Sequence, residues 1–197
     1  MGLFNFSKSK KVDILSIPCD YDGYDISFEE KYTDKELYKE INNIITNNNI
    51  DINTIEEFNN LNINSSIDEF IKFYDNWLFK LRENNYVVHL DNSINIVEFT
   101  NGINNILSNI DSNKKLDVEL ISDLYNNKLK EYSFNGKDIN SDFNYDILEA
   151  NIVVSELRKI GYELICLFIG YDNNDKTIIK ISDIDRMKDI ESRINNK

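Results

Sequence analysis

Several things are scarce in this chain. It has one histidine, two cysteines and six glycines in 197 residues. A lone histidine and two distant cysteines, Cys19 and Cys166, put the usual nitrogen and sulfur ligand sets of zinc out of reach. No P-loop and no G-x-G-x-x-G occurs, which excludes the glycine-built phosphate cradles. There is no G-x-S-x-G elbow and no catalytic-cysteine signature. No apolar run reaches the ~18 residues of a membrane span. The opening MGLFNF is too short for a secretory leader. Met1-Gly2 begins a myristoylation pattern, but that pattern wants Ser or Thr where Phe6 stands. Both cysteines lie in apolar, strand-like runs, which points to reduced thiols in a cytoplasmic protein.

Positive charge is scarce as well. Twenty-two Lys and Arg face 35 Asp and Glu, a formal net charge of −13. Such a surface repels phosphate backbones and anionic lipid, so neither nucleic acid nor membrane is an expected partner. It favours solubility and fast association with a basic protein.

Apolar residues make up 41% of the chain and aromatics 12%, enough for a packed core. At this length folding buries roughly 70% of the unfolded surface, so no metal or disulfide staple is required. Residues 1–11 read as a loose N-terminal segment with Lys8, Lys10 and Lys11. Residues 12–197 read as one α+β domain, with 112–116 as the place for any subdivision. Asparagine and isoleucine are abundant, as AT-rich codons would produce, and they are scattered among helices and loops.

The pattern predicts a strand over KVDILSIPC, 11–19, and a returning strand in ISFEE after the turn DYDGYD. Thr33 and Glu36 form a capping box before a helix with Leu37, Ile41, Ile44 and Ile45 on one face. A short acidic helix, NTIEEFNNL, comes next. Ile67, Phe70, Ile71, Tyr74, Trp77, Leu78 and Leu81 make the clearest amphipathic helix. YVVHL and INIVEF around DNS predict a hairpin, ended by Thr100 and followed by a helix in NGINNILSNI. DVELISDLYNNKLKEY is helical, and Asn135-Gly136 suits a type I′ turn. YDILEANIVVSELRKIG predicts a helix ending at Gly161. YELICLFIG is a buried-looking strand answered by KTIIKIS. Ser182 is the expected cap of the last helix.

A local plan recurs. Leu81-Arg82 and Tyr86 match Leu157-Arg158 and Tyr162, each in a helix, tight exit, strand and hairpin. YDGYD at 21–25 likewise matches YDNND at 171–175. The expected architecture is a two-layer α+β fold, with an antiparallel, hairpin-rich sheet and helices packed on one face, carrying a weak internal duplication of a helix–hairpin unit. Hairpin-sized gaps between strands argue against a parallel, doubly wound sheet.

Asp20, Asp22 and Asp25 raise a calcium reading. DYDGYD departs from the D-x-[DN]-x-[DN]-G loop, and its twin lacks the glycine and the third acid. Asx turns explain these acids without an ion, so no metal or cofactor is expected. His89 and Asp91 alternate onto one strand face, where a His–Asp contact could serve as general base or satisfy a structural histidine. Arg82 and Arg158 read as matched carboxylate contacts, or more simply as helix-end arginines that suit the dipole. Asp183 and Asp185 are first-turn acids of a helix. Tyr21, Tyr24 and Tyr171, with Tyr32 nearby, sit with acids at hairpin tips, and tyrosine suits interfaces.

The expected function is a non-catalytic acidic binding protein that inhibits or neutralises a basic protein partner, as an immunity protein, an antitoxin or a phage-encoded anti-defence protein does. Its expected contact residues are Asp20, Asp22, Tyr24, Asp25, Tyr171, Asp172 and Asp175. The alternative is a hydrolase with a carboxylate-based, metal-dependent site.

Overall fold

The apolar run YELICLFI cannot show one face to water. As strand β3, Tyr162–Ile169, it sends Tyr162 and Leu164 to one side and Ile165 and Leu167 to the other, and all four are buried. In the computed structural model, which describes residues 24–28, 35–62, 64–89, 95–134, 145–169 and 175–195, this strand is interior to a four-stranded sheet of order β1-β3-β4-β2. β1 is Tyr24–Phe28, β2 is Val88–His89 and β4 is Asp175–Lys180. β4 pairs antiparallel with both β3 and β2, while β1 runs parallel to β3.

The class is α+β, as the pattern implied, but helices cover both faces of the sheet. On one side pack α1 (Lys35–Thr46), α2 (Glu56–Asn60), α3 (Ile67–Glu83) and α7 (Ile184–Asn195), against Ile165, Leu167 and Ile179. On the other pack α4 (Ile96–Ile110), α5 (Val118–Phe134) and α6 (Tyr145–Lys159), against Leu164 and Ile178. The reason lies in β3 and β4, whose alternating positions are apolar on both sides, so one helical layer would leave Leu164 and Ile178 in water.

Local chemistry sets the helix ends. Ser66 accepts from the Glu69 N–H while the Glu69 carboxylate accepts from the Ser66 N–H, a full capping box on α3. Asn95 does the same with Glu98 on α4. That box corrects the expected INIVEF strand: Ile96, Phe99, Ile103, Ile106 and Leu107 form one buried helical stripe instead. Gly102 sits inside this helix because a Cβ there would collide with the Val88 side chain of β2. Gly161, at φ 91°, ends α6 as predicted. Ser182 falls within a 3-10 turn, Ile181–Asp183, rather than capping α7.

The expected repeat survives only at the helix exits. Asn85 (φ 57°) and Gly161 both take left-handed φ just before a buried tyrosine, Tyr86 and Tyr162. Their N–H groups donate to Arg82 O and Arg158 O at 3.0 and 3.2 Å. Beyond the exits the halves diverge, because β2 leads to α4 and β3 leads to a hairpin. The strand 11–19, the turn acids Asp20 and Asp22, the Thr33 cap, the Asn135-Gly136 turn, and Tyr171 with Asp172 lie outside the described residues.

Candidate functional site

The C-terminal turn of α3 meets the start of β4 at one carboxylate. Asp175 has a relative exposure of 0%. Arg82 grips it with two donors, Nε on Oδ1 at 2.9 Å and Nη2 on Oδ2. His89, opposite Asp175 in the β2–β4 register, places Nδ1 3.0 Å from Oδ1. A carboxylate oxygen only accepts, so the pattern assigns the ring proton to Nδ1 and leaves Nε2 as the free nitrogen. Burying a charge is costly unless it is paired and hydrogen-bonded; here the Arg82 guanidinium pairs with it, and Arg82 and His89 both donate to it. Beneath the pair lies Tyr74. Burial, reinforced by the nearby charge of Asp175, pushes its hydroxyl well above the ordinary phenol value.

Position and polarity explain the arrangement. Arg82 lies in the last turn of α3, where a cation suits the dipole, and the guanidinium fork matches a carboxylate. Arg158 repeats the device at the end of α6, with Nε on Glu163 Oε2 at 2.8 Å and Nη2 on Oε1 at 3.1 Å. Both arginines are therefore matched carboxylate contacts, made within the chain.

The outer face of α3 differs in character. Phe79 is 57% exposed, the most exposed of the large apolar side chains described. Asp75 and Glu83 stand four residues before and after it, so all three share one exposed strip. The cations of this helix segment are engaged elsewhere. Lys72 pairs with Glu57 at 3.2 Å, Lys80 donates to Thr54 Oγ1 at 2.9 Å, and Arg82 holds Asp175. Among the described residues Asp75 and Glu83 make no ion pair. Among the described residues the strip is an aromatic ring between two carboxylates that make no ion pair.

Of the expected contact residues, Tyr24 and Asp25 fall in β1, opposite Ile165 and Cys166 in register. Asp175 is not at an exposed tip. It is the first residue of β4, and its carboxylate is enclosed by Arg82 and His89. Asp20, Asp22, Tyr171 and Asp172 lie outside the described residues, as does Asp91, the acid expected beside His89. Asp183 lines a polar cleft of about 260 Å³ with Lys180, Arg186, Asn43, Asn47 and Asn48. Phe79 falls outside the periodic apolar stripe of α3, and an aromatic off that stripe is the sequence signal that finds this strip. Among the described residues no three His, Cys, Asp or Glu side chains are grouped to hold a metal ion, and no helix is long and apolar enough to cross a membrane. The chain matches no protein-family model, no curated protein and no solved structure.

Proposed function

We propose that this protein binds and neutralises a basic protein partner, as immunity proteins, antitoxins and phage-encoded inhibitors of host defence do, and that α3 is its contact helix. The observation that carries this reading is Phe79 exposed between Asp75 and Glu83, with the neighbouring cations engaged elsewhere. An arginine or lysine of the partner can lay its stem and charge on the ring while its head reaches a carboxylate on either side. The net charge of −13 draws such a partner in from a distance.

The test uses the purified protein as bait at low and high salt, beside Phe79→Ser and the double variant Asp75→Asn, Glu83→Gln. A basic protein should be retained at low salt, released by salt, and lost in both variants. Surface changes of this kind should leave stability within about 0.5 kcal/mol, which thermal unfolding checks. Retention of nothing basic, or retention indifferent to salt and to Phe79, overturns the proposal.

The alternative, a hydrolase, draws on the His89–Asp175 pair, because a buried acid orienting a half-exposed histidine is how a general base is held. The 260 Å³ cleft gives this reading little support, since it lies on other elements and holds one acid, Asp183. An enzyme of this kind would lose hydrolysis of simple phosphoesters or carboxylic esters by about 100-fold or more in His89→Ala. The absence of any such activity in the unaltered protein removes the reading.

A further inference from the structure

The β3–β4 hairpin carries a contact that neither the core nor the α3 strip uses, and it stands independently of the binding proposal. Cys166 and Lys176 oppose each other in the antiparallel register. They lie on the face covered by α4 and α6, the side to which their neighbours Leu164, Ile178 and Val88 belong. Cys166 is 5% exposed, and Lys176 is half-buried. A lysine so placed would ordinarily carry its nitrogen out to water. Instead Nζ stands 2.7 Å from Cys166 Sγ. That is the short limit for a nitrogen–oxygen hydrogen bond, about 2.7 Å. Sulfur is the larger atom, so nitrogen and sulfur here are closer than an ordinary N–H···S contact. Two atoms joined through one shared oxygen, by two single bonds opened at a tetrahedral angle, stand about this far apart.

We propose that Cys166 and Lys176 form a modification site, a covalent N–O–S bridge closed by dissolved dioxygen. The amine, the thiol and one molecule of dioxygen give one bridge and one water. The thiol loses its S–H bond and the amine one N–H bond. One oxygen atom forms the new N–O and O–S bonds, and the other leaves as water with the two hydrogens. Sulfur and nitrogen give up two electrons each, and these four reduce the dioxygen. Excess dithiol reverses the reaction: two dithiols are oxidised to disulfides, and amine, thiol and one water are restored. The site thus lies off the usual cysteine oxidation ladder, because a neighbouring amine intercepts the oxygen that would otherwise make a sulfenic acid.

Reduced protein is held in oxygen-saturated buffer and its intact mass followed. The expected gain is one oxygen less two hydrogens, about 14 Da, removed by dithiothreitol. Peptide mapping should join the segments holding Cys166 and Lys176. Cys19→Ser should keep the gain, and Lys176→Arg, which keeps the positive charge, should lose it. Full alkylation of Cys166 by iodoacetamide in the oxygen-treated, unfolded protein overturns the proposal. So does a gain of one whole oxygen, or a disulfide between Cys19 and Cys166.

Discussion

The two faces of one sheet are filled by different means. Among the described residues, the face under α1–α3 and α7 buries seven aromatic side chains, Tyr38, Phe58, Phe70, Phe73, Tyr74, Trp77 and Tyr86. Their rings meet in defined ways: Trp77 stacks on Phe73 at 6.2 Å, and Tyr38 meets Phe73 edge-on at 5.6 Å. Among the described residues, the face under α4–α6 buries only Phe99 and Tyr162 as aromatics, with Tyr125 partly buried against them, and its filling is mainly aliphatic. Each face nonetheless contains one buried asparagine that ties a connecting segment to a helix. Asn42 accepts from Trp77 Nε1 at 3.0 Å and donates to Ile50 O at 2.7 Å. Asn104 donates to Leu116 O at 3.1 Å and accepts from Leu116 N at 2.8 Å. The contrast teaches that apolar filling can vary while a loop entering the core still needs its backbone groups answered.

The largest effect that would sharpen this contrast is at Trp77. Trp77→Ala should cost about 5 kcal/mol, because it opens a cavity and also removes a donor from Asn42. Ile103→Ala, at the centre of the aliphatic face, should cost about 3 kcal/mol. Equal losses in urea unfolding would break the distinction. Next comes Asn104→Ala, expected to cost about 2–3 kcal/mol by leaving both polar groups of Leu116 unpaired. Asn104→Asp should fall between, since it can still accept from Leu116 N. A loss in Asn104→Ala no larger than that of an exposed asparagine such as Asn105 would show that the loop does not depend on this amide.

The smallest effect concerns Tyr162, which donates to Asp111 Oδ2 at 3.2 Å. Burial first, then the bond to Asp111 and its charge, push the phenol up to about 12. An unfolded tyrosine titrates near ~10. With the folded value raised, its contribution is whole below about pH 10 and is lost as pH climbs towards about 12. Tyr162→Phe should flatten the fall of stability across that window, read from urea midpoints at each pH. An unchanged slope would remove Tyr162 from the account.

What the chain's pattern made legible was whatever depends on near neighbours. The helices at 35–46, 67–83, 118–134 and 145–159 follow from apolar spacing, and the Gly161 exit from its need for positive φ. INIVEF was misleading because its alternation of apolar and polar residues imitates a strand. The deciding feature, Asn95 three residues before Glu98, is a capping box written with asparagine instead of serine or threonine. YELICLFI already carried the sign of a strand buried on both faces, and that sign outweighed the hairpin count. The partner of His89 was out of reach. Asp175 lies far along the chain, and only the β2–β4 register brings the two together. Asn42 and Asn104 were hidden by abundance, since codon bias supplies so many asparagines that two buried, hydrogen-bonded ones look like the rest.

The parallel pairing of β1 with β3 has a consequence for biosynthesis. Tyr24 finds its partner at Ile165. On a translating ribosome the earlier strand therefore leaves the exit tunnel long before its mate is made, while the α1–α3 segment between them can already begin to coil. An edge held open for that interval invites mispairing with other nascent chains. Folding yield in cells should thus depend on how quickly translation proceeds through the codons for 162–180, and synonymous slowing there is where that dependence would surface.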